Sequence, residues 1–194
     1  IRLEGSGAVQ VSSSITEQGQ GTEAIMKQIA ADQLGVSMDT IRLTLGDTDS
    51  TPYGGGTWAS RGAGIGGEAV LKAARTLKNN ILKIASAIMQ TDIDTIDIVN
   101  NSVIRENGEE GISLKKLAET VYFRGHELPQ GTNPELIATS SFYIEGIPFV
   151  FTNSAMGCHV VVDQDTGLVK INKFWVVEDC GTQINPKLVE EQIR

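Results

Sequence analysis

Apolar residues recur at helical spacing in two long segments of the chain. The clearest stripe comprises Val70, Ala73, Ala74, Leu77, Ile81, Ile84, Ala85 and Ile88. A shorter stripe comprises Ile25, Met26, Ile29, Ala30 and Leu34. Because residues three and four apart lie on one face of a helix, both segments predict amphipathic helices. Thr22 is the predicted N-cap of the shorter helix, and Gly35 is expected to end it.

Two further helices are predicted from their capping residues. Ser113 precedes a short apolar pattern at 114–121, and Asn185 stands before Pro186, which suits the first helical position. The chain ends at Arg194, a few residues into this last helix. We therefore expect the sequence to be a piece of a larger protein.

Strands are predicted where apolar and polar residues alternate or where short apolar runs stand between turns. They are expected at 7–14, 41–45, 95–105, 136–143 and 158–162. Residues 160–162, the turn 163–167 and residues 168–177 together predict a β-hairpin. Strands and helices that alternate and then give way to several strands predict an α+β (mixed α/β) fold over residues 1–194, with a candidate subdivision near 95–135.

Composition and charge exclude several classes of protein. The 194 residues carry a net charge of −8 and are 40% hydrophobic, which is typical of a globular protein with a proper core. An acidic chain is a poor nucleic-acid binder, and no segment approaches the roughly 18 apolar residues of a membrane span. The two cysteines cannot build a disulfide framework or a four-thiolate metal site. We expect a cytoplasmic protein without nucleic-acid or membrane partners.

Glycine is concentrated in one loop before the longest predicted helix. Seven of the fourteen residues from Gly54 to Gly67 are glycine. Free N–H groups at a helix start favour an anion, and Thr57, Ser60 and Arg61 add two hydroxyls and a guanidinium. These features predict a cradle for a phosphorylated cofactor, although a flexible surface loop explains the same composition.

Two other glycine motifs are ambiguous. Residues 62–67 match the Gly-x-Gly-x-x-Gly dinucleotide fingerprint, but that motif must follow an apolar strand and a polar run precedes it here. Gln20 stands between Gly19 and Gly21, where its amide suits the edge of a planar heterocycle. A plain turn before a helix explains the second motif equally well.

No catalytic arrangement can be assembled from the remaining polar residues. Asp47 and Asp49 are typical of an Asx turn rather than a metal site. Cys158 and His159 are neighbours in a predicted strand and would point to opposite faces, so they cannot act on one centre. We expect Cys158 in the core and His159 on the surface.

Four motifs follow one another in a characteristic order: EQGQGT at 17–22, DTDSTP at 47–52, ASR at 59–61, and DCG at 179–181 with INP at 184–186 and E-x-Q at 190–192. Together they resemble the large, molybdenum-binding subunit of the xanthine dehydrogenase family, which includes aldehyde oxidases and carbon monoxide dehydrogenases. The resemblance runs from about Gly5 to Arg194. It implies a segment of the domain that binds molybdopterin, often as its cytosine dinucleotide.

The resemblance assigns roles to residues of the first and last motifs. It implies that Gln20 hydrogen-bonds the pterin and that Gly19 and Gly21 let the backbone approach it. Gln192, on the last helix, would complete the pocket.

The same resemblance assigns the ASR motif and its neighbour. Ala59 would lie beside the molybdenum through its backbone N–H, without being a side-chain ligand. Thr57, Ser60 and Arg61 would line the pterin or phosphate end of the cofactor.

The resemblance implies a molybdenum-dependent oxidoreductase that uses water to hydroxylate an electron-poor carbon of an N-heterocycle or aldehyde. Electrons would leave through Fe–S clusters and FAD on partner domains or subunits, and the rest of the molybdenum subunit would be a further partner. The catalytic Glu of the family is expected beyond Arg194, so the isolated chain is expected to be inactive. A non-catalytic interaction module of the same fold and a dinucleotide-binding enzyme are the alternatives.

Overall fold

A computed structural model describes residues 1–146 and 151–194, which form two compact units, Ile1–Tyr143 and Ile144–Arg194. The described residues contain four α-helices and three small sheets, which confirms the mixed α+β class. None of these helices combines the length and the apolar character that a membrane crossing requires. The candidate subdivision near 95–135 stays a prediction.

The first sheet contains a parallel strand pair. Its strand order is β1 (Arg2–Leu3), β2 (Val9–Ser13) and β3 (Ile41–Leu45). β1 and β2 are antiparallel, whereas β2 and β3 are parallel and are joined by helix α1 (Thr22–Leu34). Because parallel strands need such a crossover, β2 and β3 end at the same edge of the sheet. The strands expected at 7–14 and 41–45 are confirmed.

The long helix predicted from the apolar stripe is α2 (Glu68–Met89), and Leu77 and Ile81 in its middle are fully buried. A π-helical segment, Gly62–Gly67, leads directly into it. A Cβ on Gly66 would lie 2.5 Å from Cγ1 of Ile15, so glycine lets this segment pack closely against the residues that follow β2. The dinucleotide-binding alternative is wrong, because a turn and not a strand precedes these glycines.

The first unit, Ile1–Tyr143, contains a second three-stranded sheet. It is antiparallel and consists of β4 (Ile96–Val99), β5 (Ser102–Arg105) and β6 (Glu110–Ser113). Helix α3 (Leu114–Phe123) follows, and Oγ of Ser113 accepts a hydrogen bond from the backbone N–H of Lys116 at 3.2 Å. The predicted cap at Ser113 is confirmed.

The strand predicted at 136–143 is wrong. This segment forms only one isolated β-bridge. Ile137 pairs with Arg2 there, and the backbone N–H of Ala138 donates to the carbonyl of Ile1 at 2.8 Å. The pairing ends because β1 is only two residues long and offers no further partners.

The second unit contains an antiparallel hairpin and a helix. They are β7 (Asn153–Val162), β8 (Val169–Asp179) and α4 (Pro186–Ile193). Asn185 caps α4 by accepting from the N–H of Leu188, so the predicted hairpin and the predicted cap are confirmed. His159 is exposed as expected, but Cys158 is exposed too and its predicted place in the core is wrong. The described part of this unit contains no buried residue against which Cys158 could pack.

Gly35 provides a test of how tightly the first unit is packed. It ends α1 with a φ of +70°, and a Cβ there would lie 1.9 Å from the carbonyl oxygen of Ile98. Gly108 also has a positive φ, +81°, but faces open space. We expect Gly108→Ala to lower the free energy of unfolding by about 1 kcal/mol, from backbone strain alone. Gly35→Ala should cost about 3 kcal/mol, because overpacking adds to that strain.

Urea denaturation followed by circular dichroism measures both variants. Equal losses for Gly35→Ala and Gly108→Ala would contradict the close contact between the end of α1 and β4.

Candidate functional site

The parallel pair places two loops next to each other. The Gln loop, residues 14–21, follows β2, and the Gly loop, residues 46–61, follows β3. The backbone N–H of Gly46 donates to the carbonyl of Ser13 at 2.9 Å, so the pairing continues past the strands. Ligands of parallel sheets bind at the carboxyl ends of strands, which is where these loops lie.

Thr57 joins the two loops through its side chain. Its hydroxyl donates to the carbonyl of Thr16 at 2.7 Å and accepts from the backbone N–H of Thr16 at 2.9 Å. The amide of Gln18 adds a bond of 3.4 Å to the carbonyl of Thr57. Because the only hydroxyl proton of Thr57 is used within the protein, the side chain can offer a ligand an acceptor but no donor.

The amide of Gln20 is also engaged within its own loop. Its Oε1 accepts from the backbone N–H of Gln18 at 2.7 Å, and its Nε2 donates to Oγ1 of Thr22 at 2.7 Å and to the carbonyl of Thr16 at 3.4 Å. Gln20 is half-buried and holds the shape of the turn. One acceptor position on Oε1 is left for a ligand.

The carboxylate of Glu17 holds the Gln loop together by accepting backbone N–H groups. Its Oε1 accepts backbone N–H groups from Gln18 at 3.0 Å, Gly19 at 2.8 Å and Gly21 at 3.3 Å, and its Oε2 accepts from Glu23 at 2.9 Å. Desolvation raises the pKa of Glu17, but the four N–H donors together outweigh it and hold the pKa below its ordinary value.

The predicted N-cap at Thr22 is wrong. The N-cap is Gly21, with a left-handed φ of +84° and no side chain to offer, and Thr22 is the first helical residue and is buried. Oε2 of Glu17 accepts the N–H of Glu23 in its place, at the end of the helix where a negative charge is favourable. The sequence analysis gave Glu17 no role in capping α1. An acidic residue shortly before a helix whose N-cap is glycine is the sequence pattern that could have predicted this role.

The Gly loop contains a strained turn. Ala59 and Ser60 have φ of +48° and +56°, in the left-handed region that costs residues with a Cβ about 1–2 kcal/mol each. The backbone N–H of Arg61 donates to the carbonyl of Trp58 at 3.2 Å and closes the turn. Strain of this kind clusters at ligand sites, where it is part of the function.

Arg61 carries a buried donor without a partner. Its Nε is inaccessible to water and makes no hydrogen bond to any of the residues 1–146 and 151–194, which costs about 1–3 kcal/mol. The guanidinium lies over the ring of Trp58, with Cζ 5.3 Å from the ring centroid, and Nε1 of Trp58 donates to the carbonyl of Gly55 at 2.9 Å. A Cβ on Gly55 would lie 2.4 Å from Nη1 of Arg61, so a side chain there would displace the end of the guanidinium from its present position.

Both loops line one cavity, and the glycines of the Gln loop line a second pocket. Arg61 lines a cavity of about 320 Å³ together with Ser14, Tyr53 and Ser140. Residues of the Gln loop, Gly19 among them, line a separate open pocket of about 500 Å³. The structure therefore brings the start of the Gln loop and the Gly loop to one cavity, while Gly19 and Gly21 face a second pocket.

Two further positions were singled out from the sequence. Gln192 is exposed on α4, in the second unit, and its place in a pocket stays a prediction. Oδ1 of Asp47 accepts from the N–H of Asp49 at 2.9 Å, which confirms the Asx turn. No group of three or more metal-ligating side chains occurs within 1–146 and 151–194.

Comparison with known proteins gives close matches over the whole chain. The sequence profile of the molybdopterin cofactor-binding domain family matches residues 1–194. The nicotine 6-hydroxylase large subunit of Paenarthrobacter nicotinovorans is 33% identical, and the carbon monoxide dehydrogenase large chain of Hydrogenophaga pseudoflava is 31% identical. Each alignment covers 100% of this chain and 24% of the relative, so the chain spans about a quarter of their length.

Solved structures agree with the fold. Quinoline 2-oxidoreductase from Pseudomonas putida 86 matches with a TM-score of 0.86 at 33% identity, and Cu,Mo-CO dehydrogenase matches with a TM-score of 0.84 at 31% identity. Both matches cover 100% of this chain and 24% of the solved one. The family profile and the structural agreement together show that this chain belongs to the family of molybdopterin cofactor-binding domains.

Proposed function

We propose that the chain forms part of the cofactor site of a molybdenum hydroxylase that acts within a complex. The observation that carries the proposal is the unpaired buried Nε of Arg61, beside a strained turn at the start of a helix. A native protein retains such an expensive donor where a ligand supplies the missing acceptor.

The residues of both loops fit molybdopterin. Its phosphate matches the guanidinium fork of Arg61, and the N–H groups at the start of the following helix add further donors for an anion. Its flat pterin matches the backbone of Gly19 and Gly21, where no Cβ projects, and the free acceptor of Gln20. When bound, the cofactor supplies a metal centre that activates water for hydroxylation.

We assign the remaining residues from the resemblance of their motifs to those of the family. The backbone N–H of Ala59 would lie beside the molybdenum, Ser60 would line the phosphate end of the cofactor, and Gln192 of α4 would be a further cofactor-binding residue. Thr57 acts indirectly, because its hydroxyl is committed to Thr16 and so keeps the two loops together. The chain contributes binding and orientation, and the catalytic base comes from another part of the protein.

The proposed reaction is hydroxylation of an electron-poor carbon in an N-heterocycle or an aldehyde. Three of the relatives are named for nicotine, hypoxanthine and quinoline, which are N-heterocycles and support this substrate class, whereas others are named for carbon monoxide. We further propose the cytosine dinucleotide form of the cofactor, Fe–S and FAD partners that carry the electrons away, and a cytoplasmic complex.

Replacing Arg61 tests this proposal. In the complete protein, produced with its partners in a host that makes the cofactor, we expect Arg61→Gln to lower molybdenum per chain about tenfold, since a charge-assisted hydrogen bond is lost. The thermal stability of the cofactor-free protein should stay the same or rise, because the unpaired donor is removed. Elemental mass spectrometry and thermal unfolding measure the two effects.

Arg75→Gln is the matched control, because Arg75 is an exposed arginine of α2 whose Nε already bonds Gln33 at 3.2 Å. It should leave the molybdenum content unchanged. A metal content in Arg61→Gln equal to that of the control would reject the proposed role and favour a non-catalytic interaction module.

Replacing Thr57 tests the connection between the loops. Thr57→Val keeps the side-chain shape but leaves the N–H and the carbonyl of Thr16 without their partner, so we expect about 1–2 kcal/mol less stability. Thr57→Ser keeps the hydroxyl and should lose less than half as much. Urea denaturation and limited proteolysis within the Gly loop report the difference, and identical behaviour of Val and Ser variants would show that the loops are not tied here.

A further inference from the structure

Building on the function proposed above, we infer that Glu17 is the positioning residue of the cofactor-binding turn 18–21. Its carboxylate fixes the backbone of this turn by accepting N–H groups, and Glu17 lines the same open pocket as Gly19 and Gly21. The role we assign to Glu17 is to hold the turn, not to bind the cofactor. The residues that contact the pterin, Gln20 and the two glycines beside it, depend on Glu17 for their arrangement.

The hydrogen bonds show how one carboxylate controls the turn. Three of its four N–H donors, those of Gln18, Gly19 and Gly21, belong to the turn itself. The N–H of Gln18 also donates to Oε1 of Gln20 at 2.7 Å, so Glu17 and the Gln20 amide share a donor. Any shift of the Glu17 carboxylate therefore moves both the glycine backbone and the Gln20 side chain.

Side-chain packing does not restrain Gly19, whereas Gly21 is also held as the N-cap of α1, where its carbonyl accepts the N–H of Ile25 at 3.2 Å. Gly19 and Gly21 have φ of +91° and +84°, conformations available almost exclusively to glycine, and a Cβ on Gly19 would meet no atom within 4 Å. Glycine loses more conformational freedom on folding than any other residue. The hydrogen bonds of Glu17 supply the restraint that side-chain packing supplies elsewhere.

Because Glu17 is negatively charged, its positioning role can be distinguished from a direct electrostatic effect on the cofactor. A carboxylate repels an anionic cofactor, so a purely electrostatic effect predicts that Glu17→Gln binds the cofactor more tightly. A positioning role predicts weaker binding. The Gln amide keeps one acceptor oxygen but presents N–H donors toward the N–H of Glu23 or of the turn, so at least one bond is lost.

The test uses the complete protein with its partners. In protein from a host that makes the cofactor, we expect Glu17→Gln to hold about tenfold less molybdenum and pterin per chain than the wild type. In cofactor-free protein, we expect about tenfold faster hydrogen exchange at the backbone amides of residues 18–23. Glu17→Ala removes both acceptor oxygens and all four hydrogen bonds and should show both effects more strongly; if it fails to fold, the Gln variant still decides.

The matched control is Asp163→Asn. Asp163 likewise accepts two backbone N–H groups, from Asp165 at 2.9 Å and Thr166 at 3.0 Å, in a hairpin loop without proposed cofactor-binding residues. It should leave metal content and exchange at 18–23 unchanged.

The outcomes separate the inference from the proposed function. If the wild type contains molybdenum and Glu17→Gln contains as much molybdenum per chain, the role of Glu17 is overturned and the proposed function stands. Unchanged amide exchange at 18–23 would overturn it as well. Wild-type protein without molybdenum would overturn the proposed function itself, and the inference with it.

Discussion

The parallel pairing of β2 and β3 is the constraint on which the candidate site depends. Parallel strands end at the same sheet edge, so the loops that follow them begin side by side although 41 positions separate Thr16 from Thr57. The α1 crossover that makes this pairing possible is fixed in turn by its buried residues, such as Met26 and Leu34, against the core shared with α2. The hydrophobic core thus decides where the polar loops meet.

Within the loops, hydrogen bonds and local strain replace packing. Glu17 and Thr57 commit their side chains to backbone groups, whereas Ala59 and Ser60 adopt costly left-handed conformations and Arg61 keeps a buried donor unpaired. The core stabilises the fold. The strained turn at Ala59 and Ser60 and the unpaired Nε of Arg61 are not compensated by any interaction within the described residues. A polar, anionic ligand that pairs with Arg61 explains this division between stability and function.

Helices and their caps were predictable from local sequence patterns, whereas contacts between distant loops were not. The apolar stripe of α2 and the caps Ser113 and Asn185 follow from local rules and are confirmed. The cap at Thr22 was wrong because Glu17 reaches over from the preceding loop, and the core position of Cys158 was wrong because its hairpin forms no core. The motifs identified the loops of the candidate site, but the Thr57 hydroxyl and the Arg61 Nε depend on tertiary geometry.

The central claim is that both loops bind one cofactor. The most direct measurement is an experimental structure of the complete protein with its cofactor bound, at a resolution that places hydrogen-bond partners. We expect the pterin against Gly19–Gly21 and an oxygen of the cofactor within hydrogen-bond distance of Nε of Arg61. A cofactor bound elsewhere, with that Nε still unpaired, would contradict the account.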